Sequence, residues 1–100
     1  MICDLRKSSP SFKKCIYINL DPNKILFIPK GIAHGFLSLE SETILNYKCD
    51  NLYRPNFESG FNLFKSNINL KFPLSNHKII ESVKDKLLPD LDNSYIYKSL

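Results

Sequence analysis

The stretch Cys15-Ile16-Tyr17-Ile18-Asn19-Leu20-Asp21-Pro22-Asn23-Lys24-Ile25-Leu26-Phe27-Ile28-Pro29 decides the fold class. Cys15 to Leu20 is a short run rich in β-branched and aromatic side chains. Asp21-Pro22-Asn23 is a turn, and Ile25 to Ile28 repeats the apolar pattern until Pro29 ends it. Two strands and a tight connection follow from that pattern.

Outward from this stretch the same grammar recurs. Met1 to Leu5 opens apolar and is cut by Arg6 and Lys7, so it reads as the end of a strand that has lost its beginning. Ser8-Ser9-Pro10 then turns the chain, because proline fixes φ and serine hydroxyls satisfy nearby backbone groups. Downstream, Phe36 to Leu39 and Thr43 to Lys48 form the next strand pair, joined across Glu40, Ser41 and Glu42. Within the second, Leu45, Tyr47 and Cys49 alternate with Ile44, Asn46 and Lys48, which puts Tyr47 on the face of Leu45. Short runs about ten residues apart, punctuated by Pro, Gly, Asn and Ser, predict an all-β sandwich or barrel. One helical turn is expected, at Ser82-Val83-Lys84-Asp85, where a capping pattern precedes a stop at Pro89. There is no internal repeat.

Composition bounds the rest. The 100 residues are 43% hydrophobic and 24% charged, with a formal net charge of +4, and residues 1–100 make one domain at most. A chain this short buries a limited share of its surface, so association with a partner is expected. Its aromatic and aliphatic content argues against wholesale disorder. No apolar run approaches the ~20 residues of a spanning helix. Asp4 also interrupts the place where a signal peptide would be apolar, so a soluble cytoplasmic protein with no membrane partner is expected. Cys3, Cys15 and Cys49 lie far apart with no CxxC pair, which suggests neither a zinc site nor a disulfide framework and predicts reduced, partly buried thiols. The twelve lysines are dispersed rather than gathered in a stripe, so no nucleic-acid partner is expected.

Several blocks go beyond composition. Asp4-Leu5-Arg6-Lys7-Ser8-Ser9-Pro10-Ser11-Phe12, Ile28-Pro29-Lys30-Gly31-Ile32-Ala33-His34-Gly35-Phe36 and Tyr47-Lys48 resemble, in order and spacing, the dTDP-4-dehydrorhamnose 3,5-epimerase family. Tyr53-x-Pro55-x-x-Glu58-x-Gly60 and Ser82-x-Lys84-Asp85 resemble its later segments, so the likeness spans nearly the whole chain. The resemblance implies a jelly-roll, cupin-type antiparallel barrel, here incomplete at its N-terminus, and a homodimer or complementation by an N-terminal chain. It also implies an isomerase acting on a dTDP-sugar at C3 and C5 without metal or nicotinamide cofactor.

Roles carry over residue by residue. Tyr47 falls on the family's proton donor, a phenol whose pKa near ~10 keeps it protonated until an enolate is ready to accept; a core tyrosine with a paired hydroxyl is the competing reading. His34, between Gly31 and Gly35, matches a substrate-contacting histidine, against a turn in which the imidazole bonds a carbonyl. Glu58 and Lys84 match substrate-holding positions, and Tyr53 an aromatic that can stack on thymine, each against a solvated-surface reading. Asp85 matches the carboxylate that orients the family's basic histidine, or else completes a cap with Ser82. His77 matches nothing and reads as an exposed loop residue.

The family's base, a histidine in an R-G-x-H-x-Q segment, and the lysine that follows it have no counterpart here. Leu63-Phe64-Lys65 stands where the family tends to carry Trp-Asn-Asp. The chain alone is therefore expected to be inactive. The alternative is a non-catalytic cupin-like module for nucleotide-sugar binding or dimerisation. Missing strands would leave sheet edges and apolar faces uncovered.

Overall fold

The computed structural model describes residues 1–69 and 78–98. Its sheet is antiparallel and three-stranded, with β1 (Ile2–Asp4) at the centre, β2 (Cys15–Ile16) on one side and β3 (Ile32–His34) on the other. Ile2 pairs with Ile16 and His34, Cys3 with Cys15 and Ala33, and Asp4 with Ile32. The antiparallel sheet and the scarcity of helix agree with the all-β expectation.

The turn expected after Arg6 forms and delivers β2 to β1. Ser9 N–H donates to the Arg6 carbonyl at 3.0 Å and Phe12 N–H to the Ser9 carbonyl at 3.1 Å. Lys13 then takes φ 60°, a left-handed conformation that reverses the chain, and its N–H donates to the Asp4 carbonyl at 2.7 Å.

That register corrects the expectation for the cysteines. Cys3 and Cys15 form a disulfide, with Cα atoms 4.1 Å apart, while Cys49 is free and exposed. Twelve residues of sequence hide what the ladder reveals. Asp4 and Lys13–Lys14 exchange the neighbouring hydrogen bonds, so Cys3 and Cys15 occupy the closely spaced, non-hydrogen-bonded kind of pair, where opposing side chains meet.

Burial concentrates on β1. Cys3 is 1% exposed, and Leu5 and Asp4 are buried beside it. The C-terminal tail closes over this strand's end: Tyr97 N–H donates to the Leu5 carbonyl at 2.9 Å and Lys7 N–H to the Tyr97 carbonyl at 3.1 Å, giving a parallel bridge between Arg6 and Tyr97.

The other expected strands do not form. Residues 17–20 of the expected Cys15 to Leu20 strand, and 25–28, 36–39 and 43–48, belong to no ladder, although the Asp21 turn between the first pair is present, with Lys24 N–H on the Asp21 carbonyl at 3.0 Å. A strand needs a neighbour for its backbone groups, and among the described residues the last three segments have none. Most of their apolar side chains face outward as a result, Ile25 being 99% exposed, while Leu26, Ile28 and Leu37 are half-buried.

The expected helical turn is α1 (Val83–Leu87), with the Ser82 hydroxyl accepting from Asp85 N–H at 3.0 Å and Pro89 just past the Leu88 cap. Asn62, 4% exposed, ties α1 to the preceding loop. Its side-chain amide donates to the Asp85 carbonyl at 2.9 Å and to the Glu81 carboxylate, its side-chain oxygen accepts from Phe64 and Lys65 N–H, and its own N–H donates to the Pro89 carbonyl. His77 lies outside the described residues.

Candidate functional site

Three of the six residues singled out from sequence come together. A 3-10 turn at Pro55–Phe57 starts on a proline, whose missing N–H is one a helix start leaves unbonded, and the Glu58 backbone N–H caps its end by donating to the Pro55 carbonyl at 3.3 Å. The first turn of α1 presents Lys84. Its ammonium is ion-paired with the Glu58 carboxylate, and that bond raises the lysine's pKa above its ordinary value. The Tyr53 hydroxyl donates to the same Glu58 Oε2 at a long 3.5 Å. An ammonium, a carboxylate and a phenol thus share one exposed cluster, able to offer both donors and acceptors to a polar ligand.

Asp85 follows Lys84 directly. Its backbone is committed to the cap through Ser82 and to Asn62, as above. His34 ends β3 opposite Ile2 and is exposed, and the Met1 and Gly35 backbones continue the pairing beyond it at 2.9 and 3.1 Å. Tyr47 is 77% exposed and lies in no strand. Neither His34 nor Tyr47 borders the two concavities beside the cluster. The smaller of these, about 170 Å³, runs from Leu5, Gly31 and Ala33 to Gly60 and the two tail tyrosines. The larger, about 390 Å³, is bordered by Asn56, Phe57, Glu58, Ser59, Tyr95 and Tyr97.

A second polar hub, to which the sequence assigned no role, surrounds Asp4. Asp4 is 5% exposed and accepts from Arg6 Nε at 2.9 Å, Arg6 Nη2 at 2.7 Å, and the Ser9 and Ser11 hydroxyls at 2.6 and 2.5 Å. Chiefly through Arg6, these bonds hold the Asp4 carboxyl well below its ordinary range, against the opposing effect of burial. The signal was present: a charge inside an apolar strand with an opposite charge two residues on shares a face with it. Among the described residues no group of three or more His, Cys, Asp or Glu is gathered to hold a metal, and no helix is long and apolar enough to cross a membrane.

Comparison with known proteins bears on all of this. The model of a family described as dTDP-4-dehydrorhamnose 3,5-epimerase matches residues 1–93. Among curated proteins, the chain is similar to the dTDP-4-dehydrorhamnose 3,5-epimerase of Methanothermobacter thermautotrophicus, 38% identical over 94 residues that cover 92% of this chain and 48% of the relative. The enzyme of that name from Shigella flexneri is 40% identical over 73% of this chain and 41% of its own length. The one from Escherichia coli is 37% identical over 89% and 49%. The chain thus spans about half the length of the relatives it matches. No solved structure matches it.

Proposed function

The chain belongs to the dTDP-4-dehydrorhamnose 3,5-epimerase family, and from that premise we propose that it supplies the substrate-binding and proton-donating groups of the 3,5-epimerisation but not its base. A 4-keto group acidifies the hydrogens at C3 and C5 of the sugar. A base removes one of them, donors steady the enolate, and an acid returns the proton to the opposite face.

Tyr47 is the acid in this reading. Lys84 holds the anionic diphosphate, Glu58 accepts from hydroxyl or imide donors, Tyr53 offers a flat face to thymine, and His34 contacts the sugar. Asp85 orients a histidine base that another polypeptide segment provides. The observation that carries the reading is the Glu58–Lys84 ion pair with the Tyr53 hydroxyl on the same carboxylate, since it brings Lys84 across 26 residues to two substrate-binding candidates of the Tyr53–Glu58 segment. The 100 residues contain two histidines, His34 and His77, and neither lies in an R-G-x-H-x-Q context, so these residues alone do not complete the two-faced proton exchange.

The rest of the reading follows from the family: a jelly-roll barrel completed by further strands, a cytoplasmic dTDP-sugar pathway, and a partner that is either a second copy or a chain bearing the base. The many exposed apolar side chains, Phe27, Phe36, Ile44 and Leu52 among them, support such a covering partner. The outward placement of Tyr47 favours a second reading, a cupin-like module that binds nucleotide sugar or dimerises without chemistry.

Calorimetric titration with dTDP tests the binding site. Saturable binding that weakens with added salt and falls about tenfold or more in Lys84→Ala supports the reading, because a lost charge-assisted bond is worth about that much. Equal binding by Lys84→Ala contradicts it.

A further inference from the structure

Lys84 stands on a helix that does not hold itself in place. α1 has five residues, none of them buried, and its two apolar side chains, Val83 and Leu87, are exposed. Helices shorter than about 12 residues are marginal without tertiary packing, and neither apolar side chain supplies it here. The hold is polar instead. The loop from Asn62 to Ser66 grips the helix along its length: the Asn62 amide bonds the Asp85 carbonyl and Glu81, as described, and the Lys65 ammonium donates to the Lys86 carbonyl at 2.6 Å and to the Leu88 carbonyl at 2.9 Å. Just past the helix, the Ser66 hydroxyl donates to the Asn62 carbonyl at 2.6 Å and accepts from Leu91 N–H at 2.9 Å. An ammonium suits the helix end it occupies, because the last carbonyls there lack intrahelical partners. Asn62 lies four residues after Glu58, so the clasp joins the segment that carries the carboxylate to the helix that carries Lys84.

We propose that Lys65 is a positioning residue of the dTDP-sugar site, closing the clasp over the end of α1 and so setting Lys84 beside Glu58 before a ligand arrives. The proposal rests on the reading that Glu58 and Lys84 hold the nucleotide sugar. A side chain already fixed in its binding geometry loses less conformational freedom when the ligand is taken up. Lys65 therefore raises affinity through Lys84 and not by touching the ligand.

Calorimetric titration with dTDP tests this in the full chain, in Lys65→Met, which keeps the stem without the ammonium, in Lys65→Arg, and in the same variants combined with Lys84→Ala. Lys65→Met is expected to bind about three- to tenfold more weakly and Lys65→Arg within about twofold of the unaltered chain. In the Lys84→Ala background Lys65→Met should have no further effect, because a positioning residue acts only through the group it positions. A loss that persists there overturns the proposal, since it marks a direct contact with the ligand or a general loss of fold. Unchanged affinity in Lys65→Met, beside weakened binding in Lys84→Ala, overturns it too and leaves the Lys84 site standing. A second readout needs no ligand: pairing with Glu58 raises the Lys84 pKa above its ordinary value, and NMR titration of that ammonium should show the rise shrinking in Lys65→Met and persisting in Lys65→Arg. If the unaltered chain binds no dTDP, the reading of the site fails. An unchanged Lys84 titration in Lys65→Met then overturns the positioning role as well, while a diminished rise supports it independently.

Discussion

Arg6 grips Asp4 with two nitrogens, Nε at 2.9 Å and Nη2 at 2.7 Å, from two residues along the same strand face. The pair sits where three parts of the chain meet: the Ser9 and Ser11 hydroxyls bond Asp4, and the Arg6 side chain and the Tyr97 ring both come close to Gly31. Folding therefore stabilises the ionised carboxylate. Because the folded pKa is depressed below the ordinary 3.8, the unfolded chain takes up this proton first as the solution is acidified. The contribution is full above about pH 5 and declines as pH falls through that value toward the lower folded one. Asp21 and Asp90 are also lowered, by Lys24 and by Asn93 respectively, and act in the same direction. In Asp4→Asn, circular dichroism melts are expected to show a loss of about 1.5–3 kcal/mol at neutral pH and a shallower decline between about pH 5 and 3 than in the unaltered chain. An unchanged acid limb would contradict the assignment.

Gly31 takes φ +83°, and a Cβ added there would stand 2.5 Å from Arg6 Cγ and 3.0 Å from Tyr97 Cγ. Gly31→Ala meets both a left-handed backbone and a clash with Arg6 Cγ, so a loss of about 2 kcal/mol or more is expected. The same substitution at Gly35, where an added Cβ would find open space, should cost much less. Comparable melting temperatures for the two variants would count against the close approach of Arg6 and Tyr97 to Gly31.

Ser82 holds the first turn of α1 through a single side-chain bond to Asp85 N–H. Removing the hydroxyl in Ser82→Ala should cost about 1 kcal/mol, felt locally because so short a helix depends on its ends. Faster amide exchange at Asp85 and Lys86, with the β1 amides unaffected, is the expected pattern. Slowed or unchanged exchange at Asp85 would show that the cap contributes nothing.

The cysteine pairing is directly countable. Without reductant the folded chain should present one reactive thiol, Cys49, and unfolding in reductant should raise the count to three. Reduction opens a loop with a sequence separation of 12 and is expected to cost about 2–3 kcal/mol. Three reactive thiols in the oxidised, folded chain would contradict the pairing.

Local features were legible in the sequence because local chemistry causes them. The Ser82 cap, the Pro89 stop, the Asp21 turn and the turn after Arg6 all follow from residues within a few positions of one another. The first two strands were legible in part: Met1 to Leu5 contains β1, but of Cys15 to Leu20 only Cys15–Ile16 is strand. β3 (Ile32–His34) falls where the sequence reads as a loop between Gly31 and Gly35. What the sequence hid depends on partners distant along the chain: Cys15 meets Cys3 only through strand register, Lys84 finds Glu58 across 26 residues, and Tyr97 returns to β1 from the far end. The runs at 25–28, 36–39 and 43–48 have strand composition, but composition supplies no neighbour, and among the described residues they stay unpaired. Of the site, the identities of Tyr53, Glu58 and Lys84 came from resemblance and their meeting came from the fold. The placement of Tyr47 facing inward with Leu45 relied on a strand that does not form.

An isotope measurement separates a chain that lacks the base from a complete epimerase. Purified chain is incubated with dTDP-4-dehydro-6-deoxyglucose in deuterated water while C3 and C5 of the sugar are followed by NMR. Broadened ligand resonances that report binding, without deuterium entering either carbon, are the predicted result for a chain that carries the acid and the binding groups but lacks the base. Deuterium appearing at C3 or C5 in a reaction abolished by Tyr47→Phe would contradict it, because the 100 residues would then contain a base of their own.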